Sequence, residues 1–342
     1  MTNKTLLLVV LCAALISACS GSGIDDGAQI SDVAYGSGSE EEVATARPSV
    51  TPEAVATLSV EEALQLAELG QIAFTASAEG RRDIWLIRAD GNNERNLTID
   101  LDNVFAEAPV WSMDGQTIAY DGLLGVNETR DILTVNVYGE VQEHQLTFGD
   151  GYDCYPSYSP DGEMIVYMSE RGENRDLFVM DAAGNEISRL TEGLAQDYEP
   201  AWSPNGDQIT FVSRRTGDSE IFVMNADGSD PTVLTDSAQL DWRPAWSPDG
   251  EWITFESWRN GNADIFVMRR DGSDLRQLTH SAAEDGHPHF SPDGRYIVFH
   301  SRRLGDYQLF ILEVEQPENV WHVPTESVRA LLPTWDWSSL AN

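Results

Sequence analysis

From Gln71 onward, the apolar residues fall into short runs of four to six, separated by glycine, proline and acidic turn residues. Trp252-Ile253-Thr254-Phe255 and Asp264-Ile265-Phe266-Val267-Met268 are one such pair. Runs of this length, alternating and rich in β-branched and aromatic residues, predict strands. Counterparts of the second run stand at Asp83-Ile84-Trp85-Leu86-Ile87, Asp131-Ile132-Leu133-Thr134-Val135, Asp176-Leu177-Phe178-Val179-Met180 and Glu220-Ile221-Phe222-Val223-Met224. Gln308-Leu309-Phe310-Ile311-Leu312 departs a little from them. Ahead of the strands the pattern is different. Ser59 and Glu62 form a capping box, leucines follow at helical spacing, and Gly70 stops the run, which predicts a short helix over 59–70.

A seven-residue stretch sets the phase of the strands. Pro244-Ala245-Trp246-Ser247-Pro248-Asp249-Gly250 returns at 156–162, 200–206 and 288–294, and more loosely at 109–115. Its aromatic residue sits at 111, 158, 202, 246 and 290, one step of 47 residues and then three of 44. A fixed period in this range is the signature of a propeller blade, one small sheet per repeat. Each blade reads as inner strand, Ser-Pro-Asp-Gly turn, second strand, loop, third strand, Asp-Gly turn and fourth strand. In the fifth repeat the fourth strand ends in Leu278-Thr279. The two ends complement each other, because 71–74 is a second strand without an inner strand and 331–337 an inner strand without a sequel. The expectation is an all-β, six-bladed propeller over 71–342, closed by the C-terminal strand so that no sheet edge stays open.

These repeats resemble the WD40-like propeller repeat of the TolB family, whose blades read Pro-x-Trp-Ser-Pro-Asp-Gly, an apolar strand, Asp-Ile-Phe-Val-Met and an Asp-Gly turn. The resemblance runs from residue 71 to 337. It implies a periplasmic scaffold, although TolB carries an α/β domain ahead of its propeller where this chain has a tether and one helix.

Residues 1–19 read as a lipoprotein signal peptide, with Lys4 ahead of the apolar run 6–16, which is too short for a comfortable membrane span. Ile16-Ser17-Ala18-Cys19 resembles the lipobox of bacterial lipoproteins, which implies cleavage before Cys19 and lipid attachment on it. Residues 20–58, rich in Gly, Ser and acids, hold too few large apolar side chains to fold and predict a flexible linker. With Cys12 lost and Cys19 acylated, Cys154 has no disulfide partner. Export and anchoring place the protein in the cell envelope. In a two-membrane host that means outer membrane or periplasm, otherwise the cell surface.

Charge narrows the partners. The chain has 57 acidic residues against 21 Lys and Arg, a formal net charge of −36. Such a surface argues against nucleic acid and anionic lipid headgroups.

Two residue types recur near one end of the blades. Asp153, Asp197, Asp241 and Asp285 stand three residues before the repeat proline, and Arg82, Arg171, Arg215, Arg259 and Arg303 follow the second strands. One reading is a carboxylate ring that gathers Ca²⁺ at a channel mouth. The other, favoured because the pattern follows the repeat, is a set of Asp–Arg pairs that serve the architecture. Recognition is expected where blades differ. The residue before the proline is Ala108, Tyr155, Glu199, Arg243, His287 or Leu332, and its neighbour is Cys154, Tyr198, Trp242 or Gly286 in four of the blades. Tyr155, Tyr198, Glu199, Trp242, Arg243 and His287 form the candidate binding face.

Catalytic signals are missing. The sequence contains no Gly-x-Ser-x-Gly elbow, no His-Glu-x-x-His and no phosphate-cradling loop, and His280, His287, His289 and His300 lack metal-ligand spacing. The expected role is a non-enzymatic scaffold that binds an envelope protein. The alternatives are a carbohydrate- or peptidoglycan-binding module, with Trp242 and Trp258 as its platform, and a divergent propeller lyase or hydrolase.

Overall fold

The computed structural model describes residues 59–338, apart from 79, 102–104, 124–128, 150, 173 and 327–328. The signal peptide, Cys19 and the linker lie outside the described residues. Ser59 Oγ accepts from the Glu62 backbone N–H at 3.2 Å, and Ser59 N–H donates to Glu62 Oε2 at 2.7 Å. This reciprocal cap starts the helix Val60–Ala67. The helix buries Leu66 against Ile72, Trp321 and Trp335.

The fifth repeat shows how the blade sequence becomes a sheet. Its strands are Asp241–Trp246, Trp252–Ser257, Asp264–Arg269 and Arg276–Gln277, all antiparallel and in that order. Ser247 builds the first turn by donating to Asp249 Oδ1 at 2.5 Å and accepting from Trp252 N–H at 2.9 Å. Gly250 closes that turn with φ +69°, a conformation in which a Cβ would be strained. The same hydroxyl geometry recurs at Ser112, Ser159, Ser203 and Ser291, with Asn205 taking the Asp place in one blade.

The fourth strands are shorter than expected. Four of them span only two or three residues, such as Thr232–Val233, and Leu278-Thr279 lies beyond the ladder. Thr279 caps the third strand instead, its Oγ1 accepting from Ile265 N–H at 2.9 Å and donating to Asp264 Oδ1 at 3.3 Å. Thr98, Thr147, Thr191 and Thr235 accept from their third strands in the same way.

Four sheets have four strands each, and an eight-stranded sheet holds the remainder. Within that larger sheet, the strand Arg329–Trp335 pairs antiparallel with Gln71–Ala78, matching Trp335 to Ile72 and Ala330 to Ala76. A single parallel bridge, Arg82 to Phe105, joins its two four-stranded groups. Six inner strands touch in succession, from Phe105–Trp111 through Asp153–Tyr158, Asp197–Trp202, Asp241–Trp246 and Asp285–Phe290 to Arg329–Trp335, which touches the first again.

The core lies between sheets. Trp246 packs against Val212, Ile221 and Val223 of the preceding sheet and Phe255 of its own, and Trp202 repeats this against Val166 and Leu177. Burying an aromatic of this size contributes strongly to stability. The result is a β-propeller-like fold.

Candidate functional site

Every inner strand is interrupted at one place. The residue before the repeat proline has positive φ in all six: Ala108 49°, Tyr155 56°, Glu199 52°, Arg243 59°, His287 55° and Leu332 52°. The ladder to the second strand slips there, for example between Trp242 and Ala245 and between Gly286 and His289. Such a conformation costs on the order of 1–3 kcal/mol for a residue with a Cβ. A bulge re-aims the side chain it carries, and all six of these residues line one cavity.

Four of the six expected recognition residues therefore converge: Tyr155, Glu199, Arg243 and His287. They form a buried polar floor. Arg243 lies 3.2 Å from Glu199 Oε1 and 3.6 Å from Glu256 Oε2, and one of its guanidinium nitrogens meets His287 Nε2. The Arg243 backbone N–H donates to Glu199 at 2.9 Å, His287 N–H to Glu256 at 3.3 Å, Tyr155 N–H to Asp121 at 3.3 Å and Leu332 N–H to His300 Nδ1 at 3.3 Å. Four of the six bulged amides are thus satisfied, each by a different side chain of the preceding sheet. Gly286 leaves room for this, since a Cβ there would lie 2.5 Å from Glu256 Oε2.

The other two expected residues point elsewhere. Tyr198 and Trp242 precede the bulges, so strand alternation turns them into the seams between sheets. Tyr198 Oη bonds Ser219 Oγ at 2.6 Å. Neither lines the cavity.

The recurring aspartates are also occupied. Asp197, Asp241 and Asp285 each hold both oxygens against Arg215, Arg259 and Arg303 of their own sheet, at 2.8–3.2 Å. Asp153 and Arg171 are 3.9 Å apart, while Arg82 pairs with Glu107 of the next repeat. Each of these three arginines also lies over phenylalanine rings, as Arg259 does at 4.7 Å from the Phe266 centroid. Among the described residues no group of three or more His, Cys, Asp or Glu is placed to hold a metal ion. Cys154 is a buried free thiol, and burial pushes its pKa well up.

The cavity itself has a volume of ≈ 180 Å³. Above the polar floor its wall is made of small residues, Val110, Ser157, Ala201, Ala245 and Thr334, together with His289. Its far end is aromatic and prolyl, with Trp111, Met113, Tyr158, Pro160, Pro204 and Trp337. These residues sit where the inner strands turn into the second strands. The cavity therefore reaches the end of the molecule opposite to the one expected from the Asp and Arg repeats. An apolar cavity of about 150 Å³ admits a benzene ring, so this one can take a side chain.

Three histidines border the site and are held neutral. Burial drives the pKa of His287 and His300 well below the usual imidazole value, with Arg243 adding to it, and burial lowers His289 to about 4. His289 Nδ1 lies 3.2 Å from the Trp335 backbone nitrogen and 3.1 Å from Phe290 O. A depressed pKa contributes stability above the unfolded value near 6.5 that is lost as pH falls through 4. Buried carboxyls act in the opposite sense: Asp121 is raised to about 6 and Asp264 to about 7, mainly by burial, so their contribution fades as pH rises. Replacing His289 isolates its share. His289→Gln is expected to lose about 3 kcal/mol less stability than the parent between pH 7 and pH 4, measured by urea unfolding. Identical pH dependence in the two proteins would show that His289 takes up its proton in the fold as readily as in the unfolded chain.

Comparison with known proteins agrees with this architecture. The TolB beta propeller domain matches residues 71–241 and 233–335. An uncharacterized protein of Agrobacterium fabrum is 31% identical over 113 residues, covering 33% of this chain and 36% of its own. The Tol-Pal system protein TolB of Ruthia magnifica is 24% identical over 123 residues, covering 36% of this chain and 28% of its own. The chain thus spans about a third of the length of these two relatives. The crystal structure of TolB from Acinetobacter baumannii superimposes with a TM-score of 0.69 at 21% identity, over 78% of this chain and 66% of that one. With the family match extending across nearly all the described strands, the chain belongs to the TolB beta propeller domain family.

Proposed function

We propose that this chain is an exported, lipid-anchored propeller that serves as a protein-binding scaffold in the bacterial cell envelope. Anchoring rests on the lipobox-like segment ending at Cys19, and the envelope role on kinship with the TolB domain. The sheets are read as six four-stranded blades, the first completed by Arg329–Trp335.

One observation carries the binding role. An aromatic-rimmed cavity on the axis of the inner strands has its inner end filled by paired, buried charges. With its charges gathered at the inner end and aromatic and small side chains beyond them, it suits a docked side chain better than a reaction, because the charges Glu199, Arg243 and Glu256 are already paired. Docking is therefore assigned to the end formed by the first turns.

Met113 and Ala245 test this, since both line the cavity and neither sits in the charge cluster. Met113→Glu and Ala245→Leu are expected to abolish capture of a cross-linked envelope protein while thermal melting stays near that of the parent. Folded variants that capture the same protein would remove this end from consideration. Retention of peptidoglycan fragments in place of a protein would favour the carbohydrate-binding alternative. Turnover of a polysaccharide or peptide panel would favour the lyase or hydrolase.

A further inference from the structure

The turns around the cavity's outer end carry acids in register. Asp114 follows Met113 and Asp161 follows Pro160, so both stand beside residues of the cavity wall. Asp249 and Asp293 occupy the same place in their own turns, and all four side chains are exposed. In each, one carboxylate oxygen holds the turn, accepting from the serine hydroxyl and from a backbone N–H two residues on. These same bonds hold the Asp161 carboxyl below its usual pKa, so it stays ionised. Asp90, Asp181, Asp227 and Asp271, at the turns from third to fourth strands, lie at the same end of the sheets.

Compensating cations are scarce here. Arg82, Arg171, Arg215, Arg259 and Arg303 all follow second strands, at the opposite end. Of the arginines at the acidic end, Arg88, Arg269 and Arg295 each pair with an acid at 3.8–3.9 Å, while Arg270 donates to Gln208 Oε1 at 3.2 Å. The cavity wall adds a second feature. Trp111 and Trp202, each more than nine-tenths buried, line it with part of their rings, their indole nitrogens being buried away from it.

Resting on the docking reading above, we propose that the partner presents a basic segment, with an apolar or aromatic side chain seated in the cavity and flanking Arg or Lys side chains against the aspartate rim. The apolar wall selects the inserted group, and the carboxylates select the sign of its neighbours. Charges placed around an opening in this way act on encounter rate and specificity, and they respond to salt.

Asn205 supplies the control. It fills the Asp place in its turn and accepts from Ser203 Oγ at 2.7 Å as the aspartates do, so Asp→Asn at these sites leaves the turn intact. The full chain and its D114N/D161N/D249N variant are titrated calorimetrically with Ac-Gly-Arg-Trp-Arg-Gly-NH₂ and its Glu-for-Arg analogue. The basic peptide is expected to bind, to weaken about tenfold between 50 and 300 mM NaCl, and to weaken about as much in the variant. The acidic analogue is expected not to bind. Equal binding of both peptides, or an unaffected variant of unchanged melting temperature, overturns the basic-partner assignment but leaves the docking end standing. Failure of the basic peptide to bind also overturns it, and envelope capture by Met113→Glu then decides the docking end separately.

Discussion

Removing residues 329–342 is expected to abolish cooperative unfolding, and Trp335→Ala alone to cost about 3–5 kcal/mol. Trp335 is 1% exposed and packs on Ile72, Phe74 and Trp321, while its indole N–H donates to Leu69 O at 2.8 Å, a partner 266 residues away in the chain. The backbone of the same strand completes the hydrogen bonding of Gln71–Ala78. Without it, that strand presents an unpaired ladder with a buried apolar face, the kind of edge that seeks another chain. The other half of its own sheet and the neighbouring sheet lose contacts as well, since Arg329–Trp335 also touches the inner strands on either side. Urea denaturation followed by tryptophan fluorescence measures both effects. A truncated chain with an unchanged midpoint would mean that the ring is not joined through this strand.

The second large effect is expected at Arg243. Its guanidinium lies between Glu199 and Glu256, all three being at most 9% exposed. Removing one member of a buried ionic cluster typically costs 3–5 kcal/mol, because the survivors stay buried without a counter-charge. Arg243→Leu is therefore expected to lose about that much stability at pH 7.5. Burial already raises the Glu256 pKa, and Arg243 pulls it back. With the arginine gone, the carboxyl takes up a proton more readily, so the loss should shrink as pH falls toward 4.5. Adding Glu256→Gln to the leucine variant should restore part of the stability at neutral pH. Equal stability of parent and Arg243→Leu at every pH would mean that the two glutamates do not depend on this guanidinium.

Local chemistry made much of the fold legible in the sequence. The capping box at Ser59 and Glu62, the serine-built turns and the spacing of the tryptophans depend on neighbours within a few residues, and all are found in the structure. The short fourth strands were harder to read, because threonines such as Thr279 carry apolar-looking runs past the ladder to cap another strand.

The candidate site was only partly readable, for a geometric reason. A residue before proline is read as extended, yet Tyr155, Glu199, Arg243 and His287 are left-handed. Each bulge separates the residue that faces the axis from its neighbour, so Tyr198 and Trp242 look adjacent to the site in sequence but belong to the seams. Nor does a repeat reveal where the buried charges gather. That depended on Glu256 and His300, second-strand residues whose counterparts in two other sheets are Met168 and Val212.

The left-handed bulges have a consequence for how such molecules diversify. Alanine, tyrosine, glutamate, arginine, histidine and leucine all occupy the same backbone shape at successive stations. The main chain there is dictated by its surroundings and is indifferent to the group it displays. A lineage could therefore rewrite the interior of the barrel one station at a time, acquiring a new specificity while leaving the recurring motif untouched.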